Sequence, residues 1–162
     1  MKYGWVNGNI VDLWTRPKFN SERASQLLFG QTVQIHKERA GHCFVSLPDK
    51  YTGWVDCRFV ELATRKACRQ HLASVNSIIH ASTARVYDSR GKAAIPPHKL
   101  YYGTRLFTRS TKSGFARIVL PGKSGLLIKK NKLVPINKIN VRAVTGKMMV
   151  TEASRFLGVP YL

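Results

Sequence analysis

Leu27-Leu28-Phe29-Gly30 and Leu100-Tyr101-Tyr102-Gly103 are one step written twice, 73 residues apart (100 − 27). At that offset Gly41 meets Gly114, Leu47-Pro48 meets Leu120-Pro121, Leu13-Trp14 meets Val86-Tyr87, and Val6 meets Ile79. The register runs without a gap from residue 6 to residue 48, then slips by one at Gly53, which matches Gly125. Few residues are identical, but the apolar positions agree, and apolar pattern is what specifies a shared core. The repeat predicts two copies of one unit, 1–63 and 77–139, with a linker over 64–76 and a tail over 140–162.

Each copy reads as short strands. In 31–35, Val33 and Ile35 share one face of an alternating run, and Phe44-Val45-Ser46-Leu47 alternates after a turn at Gly41. Gly53-Trp54-Val55 follows the Pro48-Asp49-Lys50 turn, and the second copy places equivalents at 104–107, 117–120 and 126–128. Short strands broken by frequent turn signals give an all-β fold of small closed barrels or sandwiches. A unit of about 60 residues is near the lower limit for independent folding, so the copies are expected to lean on each other or on a third body. Between them, 64–74 carries a partial apolar stripe (Ala67, Cys68, Leu72, Ala73) that fits a helix or a loop. A short C-terminal helix is expected over 147–157. Val150, Ala153 and Leu157 fall at helical spacing, Gly158 stands where a terminating glycine belongs, and Pro160 forbids continuation.

Charge divides the chain. Lys and Arg number 27 against 8 Asp and Glu, a net charge of +19. Up to Ala63 there are eight basic and six acidic residues; beyond it there are nineteen basic and two acidic, Asp88 and Glu152. A field of this sign attracts anionic polymers. With 44% hydrophobic residues the chain can bury a core, and no apolar run is long enough to span a membrane. The N-terminus has no export-signal pattern, so the expected compartment is the cytoplasm unless a leader has been removed.

The three cysteines, Cys43, Cys57 and Cys68, have no zinc-site or C-x-x-C spacing. They read as packing residues or spare thiols, with one pair able to close outside the cytosol. His42 is adjacent to Cys43 and so points to the opposite face of a strand, whereas His71 stands three residues after Cys68, a spacing compatible with contact on a helix. His36, His80 and His98 are scattered and read as surface or satisfied residues, not metal ligands. Pro96-Pro97 reads as a rigid turn. No phosphate-loop, dinucleotide or H-E-x-x-H motif occurs, so neither a cofactor nor a metal is expected, nor catalysis by this chain alone.

The run Asn7-Gly8-Asn9-Ile10-Val11-Asp12-Leu13-Trp14-Thr15-Arg16-Pro17 resembles the first strand and loop of bacterial SH3-like domains. Leu28 through Val33, Gly41 through Leu47, and Tyr51-Thr52-Gly53-Trp54-Val55 resemble their later steps. His42-Cys43-Phe44 replaces the usual Trp after Gly41, and the second copy has Gly125-Leu126-Leu127 in place of Gly-Trp-Val. The terminal run from Thr151 to Leu162 resembles the opening of the NlpC/p60-type cysteine peptidase domain, whose catalytic Cys and His would lie beyond it. The resemblance implies two SH3-like barrels in tandem plus the first helix of a peptidase domain, as in γ-D-glutamyl-L-diamino-acid endopeptidases of the bacterial cell wall.

The function so implied is a non-catalytic binding, targeting and substrate-shaping module of a peptidoglycan-peptide hydrolase in the cell envelope or periplasm. In the family the first SH3-like domain abuts the catalytic cleft and helps limit it to peptides with a free N-terminus. By that resemblance Tyr51 and Trp54 are candidate groove residues, with Asp49 and Asp56 placed to meet a ligand ammonium; Trp54 reads equally as core, and the two carboxylates as solvated turn residues. The partners implied are a peptidoglycan peptide or cell-wall polymer and the missing C-terminal peptidase domain; without that domain the helix face of Val150, Ala153, Phe156 and Leu157 is expected to pack on the second barrel or on a second copy, with fraying as the alternative. The competing function is binding of nucleic acid or another anionic polymer by Arg105, Arg109, Arg117, Lys129, Lys130 and Lys132, near aromatics such as Phe107.

Overall fold

A computed structural model describes residues 2–94, 99–111, 113–121, 123–139 and 144–158. Pro96, Pro97 and His98, and the terminal motif from Val159, lie outside the described residues. Among the described residues, fourteen strands and two α-helices follow one another. The first seven strands are β1 (Lys2–Val6), β2 (Ile10–Trp14), β3 (Arg23–Leu28), β4 (Thr32–Arg39), β5 (His42–Ser46), β6 (Thr52–Asp56) and β7 (Val60–Ala63). Helix α1 (Arg65–Ser74) leads to β8 (Ser77–Ile79), β9 (Thr83–Tyr87), β10 (Lys99–Tyr101), β11 (Arg105–Ser110), β12 (Phe115–Leu120), β13 (Lys123–Lys129) and β14 (Leu133–Pro135). Helix α2 (Gly146–Ser154) comes last.

The strands form two seven-stranded antiparallel sheets with one topology. The orders are β3-β2-β6-β5-β4-β1-β7 and β10-β9-β13-β12-β11-β8-β14, identical when seven is added to each label. The 73-residue repeat is therefore structural. Its turn glycines agree in backbone angle: Gly30 and Gly103 have φ of 81° and 83°, and Gly41 and Gly114 have 74° and 73°. A side chain at such angles is strained, which is why both copies keep Gly there. Gly53 answers a different need. A Cβ there would stand 2.6 Å from Leu13 and 3.0 Å from the Trp14 carbonyl oxygen, so only Gly lets β6 close against β2.

Two cores result. Val6, Val11, Leu13, Leu27, Val33, Ile35, Cys43, Val45 and Val55 fill the first barrel. The second barrel is filled by Ile79, Ala84, Val86, Leu100, Leu106, Ile118 and Ile128, among others, together with Trp5 and Phe29 from the first half of the chain. Successive strand residues face opposite ways. Val6 thus enters its own barrel while Trp5 leaves it and joins the other. Trp5 meets Phe29 edge-on at 5.9 Å, and both are essentially buried.

Helix α1 is capped by Thr64, whose Oγ1 accepts from the Ala67 amide at 3.1 Å. It buries Cys68 and His71, whereas Leu72, which the sequence places on the apolar stripe, is half exposed. The Cys68 thiol donates to the Gly4 carbonyl at 3.5 Å, and the His71 ring lies beside Gly30. The helix thus wedges against the turn that both copies share.

The cysteines depart from expectation: Cys43 and Cys57 are joined in a disulfide across a 14-residue separation, with Cα atoms 5.3 Å apart. The cause is register. Pairing Cys43 with Val55 on β6 brings the 3-10 turn Cys57–Phe59, which follows β6 directly, back over the inward-facing Cys43. Helix α2 also differs, ending at Ser154 instead of Leu157. The amides of Arg155, Phe156 and Leu157 bond three residues back, to Glu152, Ala153 and Ser154, so the last turn tightens.

Two stability outcomes follow. Trp5→Ala empties a shared core and should cost about 3–5 kcal/mol in urea unfolding, with both barrels losing stability together. Reducing the Cys43–Cys57 bridge frees a short loop in the unfolded chain and should cost about 3 kcal/mol, measured by denaturation with and without reductant.

Candidate functional site

The four residues singled out for a groove in the first barrel do not converge. Asp49 and Tyr51 lie at the end of the β5–β6 hairpin where Ser46 pairs with Thr52, and Asp56 lies at the other end, opposite His42. Four residues of strand separate those ends, roughly 13 Å. Asp49 Oδ1 accepts from the Tyr51 amide at 3.0 Å, and the Tyr51 hydroxyl donates to the Ala24 carbonyl at 3.2 Å. Tyr51 itself stays half exposed. Asp56 is occupied by Arg58, whose guanidinium reaches it at 2.6 Å and whose amide it caps at 2.9 Å. Hydrogen bonding from the Arg58 side chain holds the Asp56 carboxyl below the usual carboxylate range.

Trp54 is buried, but outside the core. Val55 fills the barrel, so Trp54 faces outward, where its ring lies 5.2 Å from Phe44. Lys37 Nζ caps both rings, at 5.3 Å from Phe44 and 5.5 Å from Trp54. Trp14 pairs with Trp54 across β2 and β6 and carries the 70%-exposed Phe19 on its edge at 5.9 Å. A row of side chains therefore crosses the first sheet in the order Trp14, Trp54, Phe44, Lys37. The second barrel presents the same row as Tyr87, Leu127, Arg117, Arg109, by the pairings Tyr87↔Leu127, Arg117↔Leu127 and Arg109↔Arg117.

The basic residues named from the sequence divide accordingly. Arg109, Arg117 and Lys129 share the outer face of the second sheet and are exposed. Arg105 instead lines a cleft of about 550 Å³ between the barrels, with Gly30, Asp49, His71 and Leu72. Lys130 Nζ donates to the Thr111 carbonyl at 2.7 Å, and half-buried Lys132 lies in the same 3-10 turn. Arg85 and Lys99 join the outer face, which the sequence concealed because that row forms only across strands.

No thiol is poised for nucleophilic chemistry. Cys43 and Cys57 are bonded to each other, and burial raises the Cys68 thiol pKa. Burial lowers the His71 pKa, opposed by the Gly30 backbone, which favours the uncharged ring. Among the described residues no three His, Cys, Asp or Glu side chains gather to hold a metal ion. No helix of the described residues is long and apolar enough to cross a membrane.

At the C-terminal end, α2 docks on the second barrel by its polar side. Glu152 accepts from the Tyr102 hydroxyl at 3.1 Å and faces His80 Nε2 at 3.2 Å. Arg155 donates to the His80 carbonyl at 3.1 Å and lies 3.2 Å from Nδ1 of the same ring. Phe156 packs edge-on against Tyr102 at 5.1 Å. Met149, Val150 and Leu157 stay bare, exposed by 63%, 66% and 80%.

Residues 13–58 match the family model of the bacterial dipeptidyl-peptidase SH3 domain. The chain carries two SH3-like barrels in tandem, and the family match lies in the first. A crystal structure of an NlpC/P60 family protein from Bacillus cereus superposes with a TM-score of 0.79 at 17% identity, over 99% of this chain. That likeness shows the shared fold of the SH3-like pair, and the chain spans 65% of that protein's length. NlpC2 and NlpC1 from Trichomonas vaginalis align over 90% and 82% of the chain and 50% and 45% of theirs, at 16% identity. Their TM-scores of 0.36 and 0.35 are too low to bear on the SH3-like fold. No curated protein sequence matches the chain.

Glu152 governs whether α2 stays on the second SH3-like barrel. Burial pushes its carboxyl pKa up, but hydrogen bonds from Tyr102 and His80 and the charge of Arg155 outweigh this and hold it below the usual range. A depressed carboxyl pKa means that the Glu152 contribution to docking is fully present above the ordinary carboxylate range and is lost as pH falls through the lowered value. Glu152→Gln at neutral pH should reproduce that loss. Hydrogen exchange across 146–154 should rise in both cases, while the barrel strands of the variant stay protected.

Proposed function

We propose that this chain is the non-catalytic, substrate-shaping and targeting module of a bacterial peptidoglycan-peptide hydrolase. The observation that carries the reading is α2: its polar side is anchored through Glu152 and Arg155, and its apolar side is bare. Leaving large apolar side chains in water forgoes roughly 1.5–3 kcal/mol for each that burial would supply. The sequence of this segment resembles the opening of an NlpC-type peptidase domain, and a following catalytic domain is the body that would cover Met149, Val150 and Leu157. The match of residues 13–58 to a dipeptidyl-peptidase SH3 domain supports the same assignment.

In this reading the first barrel contributes Asp49 and Tyr51 toward the substrate. Asp49 borders the inter-barrel cleft, and the exposed Tyr51 ring is held in place by its bond to Ala24. A carboxylate beside an oriented aromatic face suits the ammonium end of a short peptide. Trp54 and Asp56 are assigned to packing and to the Arg58 pair. The Cys43–Cys57 bridge supports an oxidising compartment such as the envelope or periplasm.

The test is incubation and titration with an L-Ala-γ-D-Glu-diamino-acid tripeptide. The expected result is no hydrolysis, with amide NMR shifts centred on 49–51 at millimolar peptide. Thiol-dependent cleavage abolished by Cys68→Ser would overturn the non-catalytic assignment. Absence of any shift in the first barrel would overturn the substrate-shaping role.

A further inference from the structure

The outer face of the second sheet carries a charge arrangement that the peptidase reading leaves unused. Lys99 pairs with Arg85 across β10 and β9. The ladder between β13 and β9 ends at the Ile128↔Val86 pair, with Lys129 and Arg85 the next residue on each strand, and Lys129 pairs with Phe115. In the adjoining row Arg117 pairs with Arg109. Their neighbours Ala84, Val86, Leu100, Ile128, Ala116 and Ile118 point into the core, so all five cations share the outer face, and all five are exposed. They cross five adjacent strands, roughly 19 Å at the usual strand spacing.

Among the described residues no carboxylate neutralises them. In 64–139 the sole acid is Asp88, and its carboxylate is taken by the amides of Arg90 and Lys92, both at 2.9 Å. No ion pair to any of the five occurs among the described residues. Like charges directly opposite on neighbouring strands oppose folding, a cost that the Arg109↔Arg117 pair carries and that the contact of Arg109 with the Phe107 ring offsets only in part. In the first barrel the equivalent positions hold Lys37 and Phe44, where the cation covers aromatic rings.

We propose that this face binds an envelope polymer with a phosphodiester backbone, of the polyol-phosphate type. Two exposed guanidinium groups side by side suit phosphates, which they can grip with paired N–H donors. A strip of cations that follows the convex outside of the barrel suits a flexible chain that places successive phosphates on successive strands. Nucleic acid fits less well because the aromatic rings beside Arg109, Arg117 and Lys129 are already engaged. Arg109 covers Phe107 at 5.7 Å, and Tyr87 and Phe115 are spent edge-on against each other at 5.4 Å. The Cys43–Cys57 disulfide also points to a compartment where wall polymers, not nucleic acids, are the abundant polyanions. The assignment goes beyond the peptide-shaping role and involves neither Asp49 nor Tyr51.

The experiment measures binding of the full chain to poly(glycerol phosphate), single-stranded DNA and poly-γ-glutamate across a salt series. Poly(glycerol phosphate) should bind most tightly, with affinity falling steeply as salt rises. Arg109→Gln with Arg117→Gln should weaken it by about tenfold or more and flatten the salt slope, since two phosphate contacts are lost. Because that variant removes a repulsion, its circular dichroism and melting should match wild type. Lys66→Gln with Arg69→Gln on α1, an equal change in net charge, should alter binding by less than about twofold if location matters and not charge alone. Equal losses in the two double variants, tighter binding of DNA or polyglutamate, or no polymer binding at all would each overturn the proposal. None of these outcomes depends on peptide binding by the first barrel.

Discussion

Strand β1 serves two cores at once. Val6 closes the first barrel from within, and Trp5, one residue earlier, closes the second from outside with Phe29 as its edge-on partner. Alternation along a strand makes this possible without any extra element. The consequence is a joint with low tolerance for sliding, because moving either barrel exposes an indole and a phenyl ring together. Helix α1 tightens the same joint by burying His71 beside Gly30, where the left-handed turn of the first barrel meets Arg105 and Leu120 of the second.

On this rigid pair the two outer faces have diverged while the inner positions have not. The core register, the turn glycines and the 3-10 turn before the last strand are common to both copies. Outward positions are free of that constraint. One copy uses them for an aromatic row capped by Lys37, the other for a basic row around Arg117. Duplication supplied one frame, and chemistry was then written separately on each exposed face.

The repeat was legible in the sequence because its marks are local: glycines at fixed turns and apolar residues at alternate positions. What stayed hidden depends on pairing between strands. Cys43 and Cys57 lack a motif spacing, and only the β5–β6 register brings them together. Arg85 and Lys99 are far from Arg117 in sequence, and only sheet order makes them neighbours. Tyr51, Trp54, Asp49 and Asp56 looked like one cluster because they are close in sequence, but a strand spreads them over two ends and two faces. Nor could Trp5 be assigned to a core from sequence, since its period fits either barrel.

Sharing Trp5 and Phe29 between barrels also sets an order of events during synthesis. The first barrel is complete in sequence by Ala63, long before β8 to β14 emerge, at the usual pace of about 5–20 residues per second. During that interval its nascent form presents an indole and a phenyl ring to solvent, with their permanent cover still unmade. The second barrel then has no free choice of docking partner. Its own interior is short of two large side chains, and the only chain nearby that supplies them is the one to which it is tethered. Assembly in cis is thereby favoured over capture of a neighbouring polypeptide, and the ten residues of α1 keep the wait short.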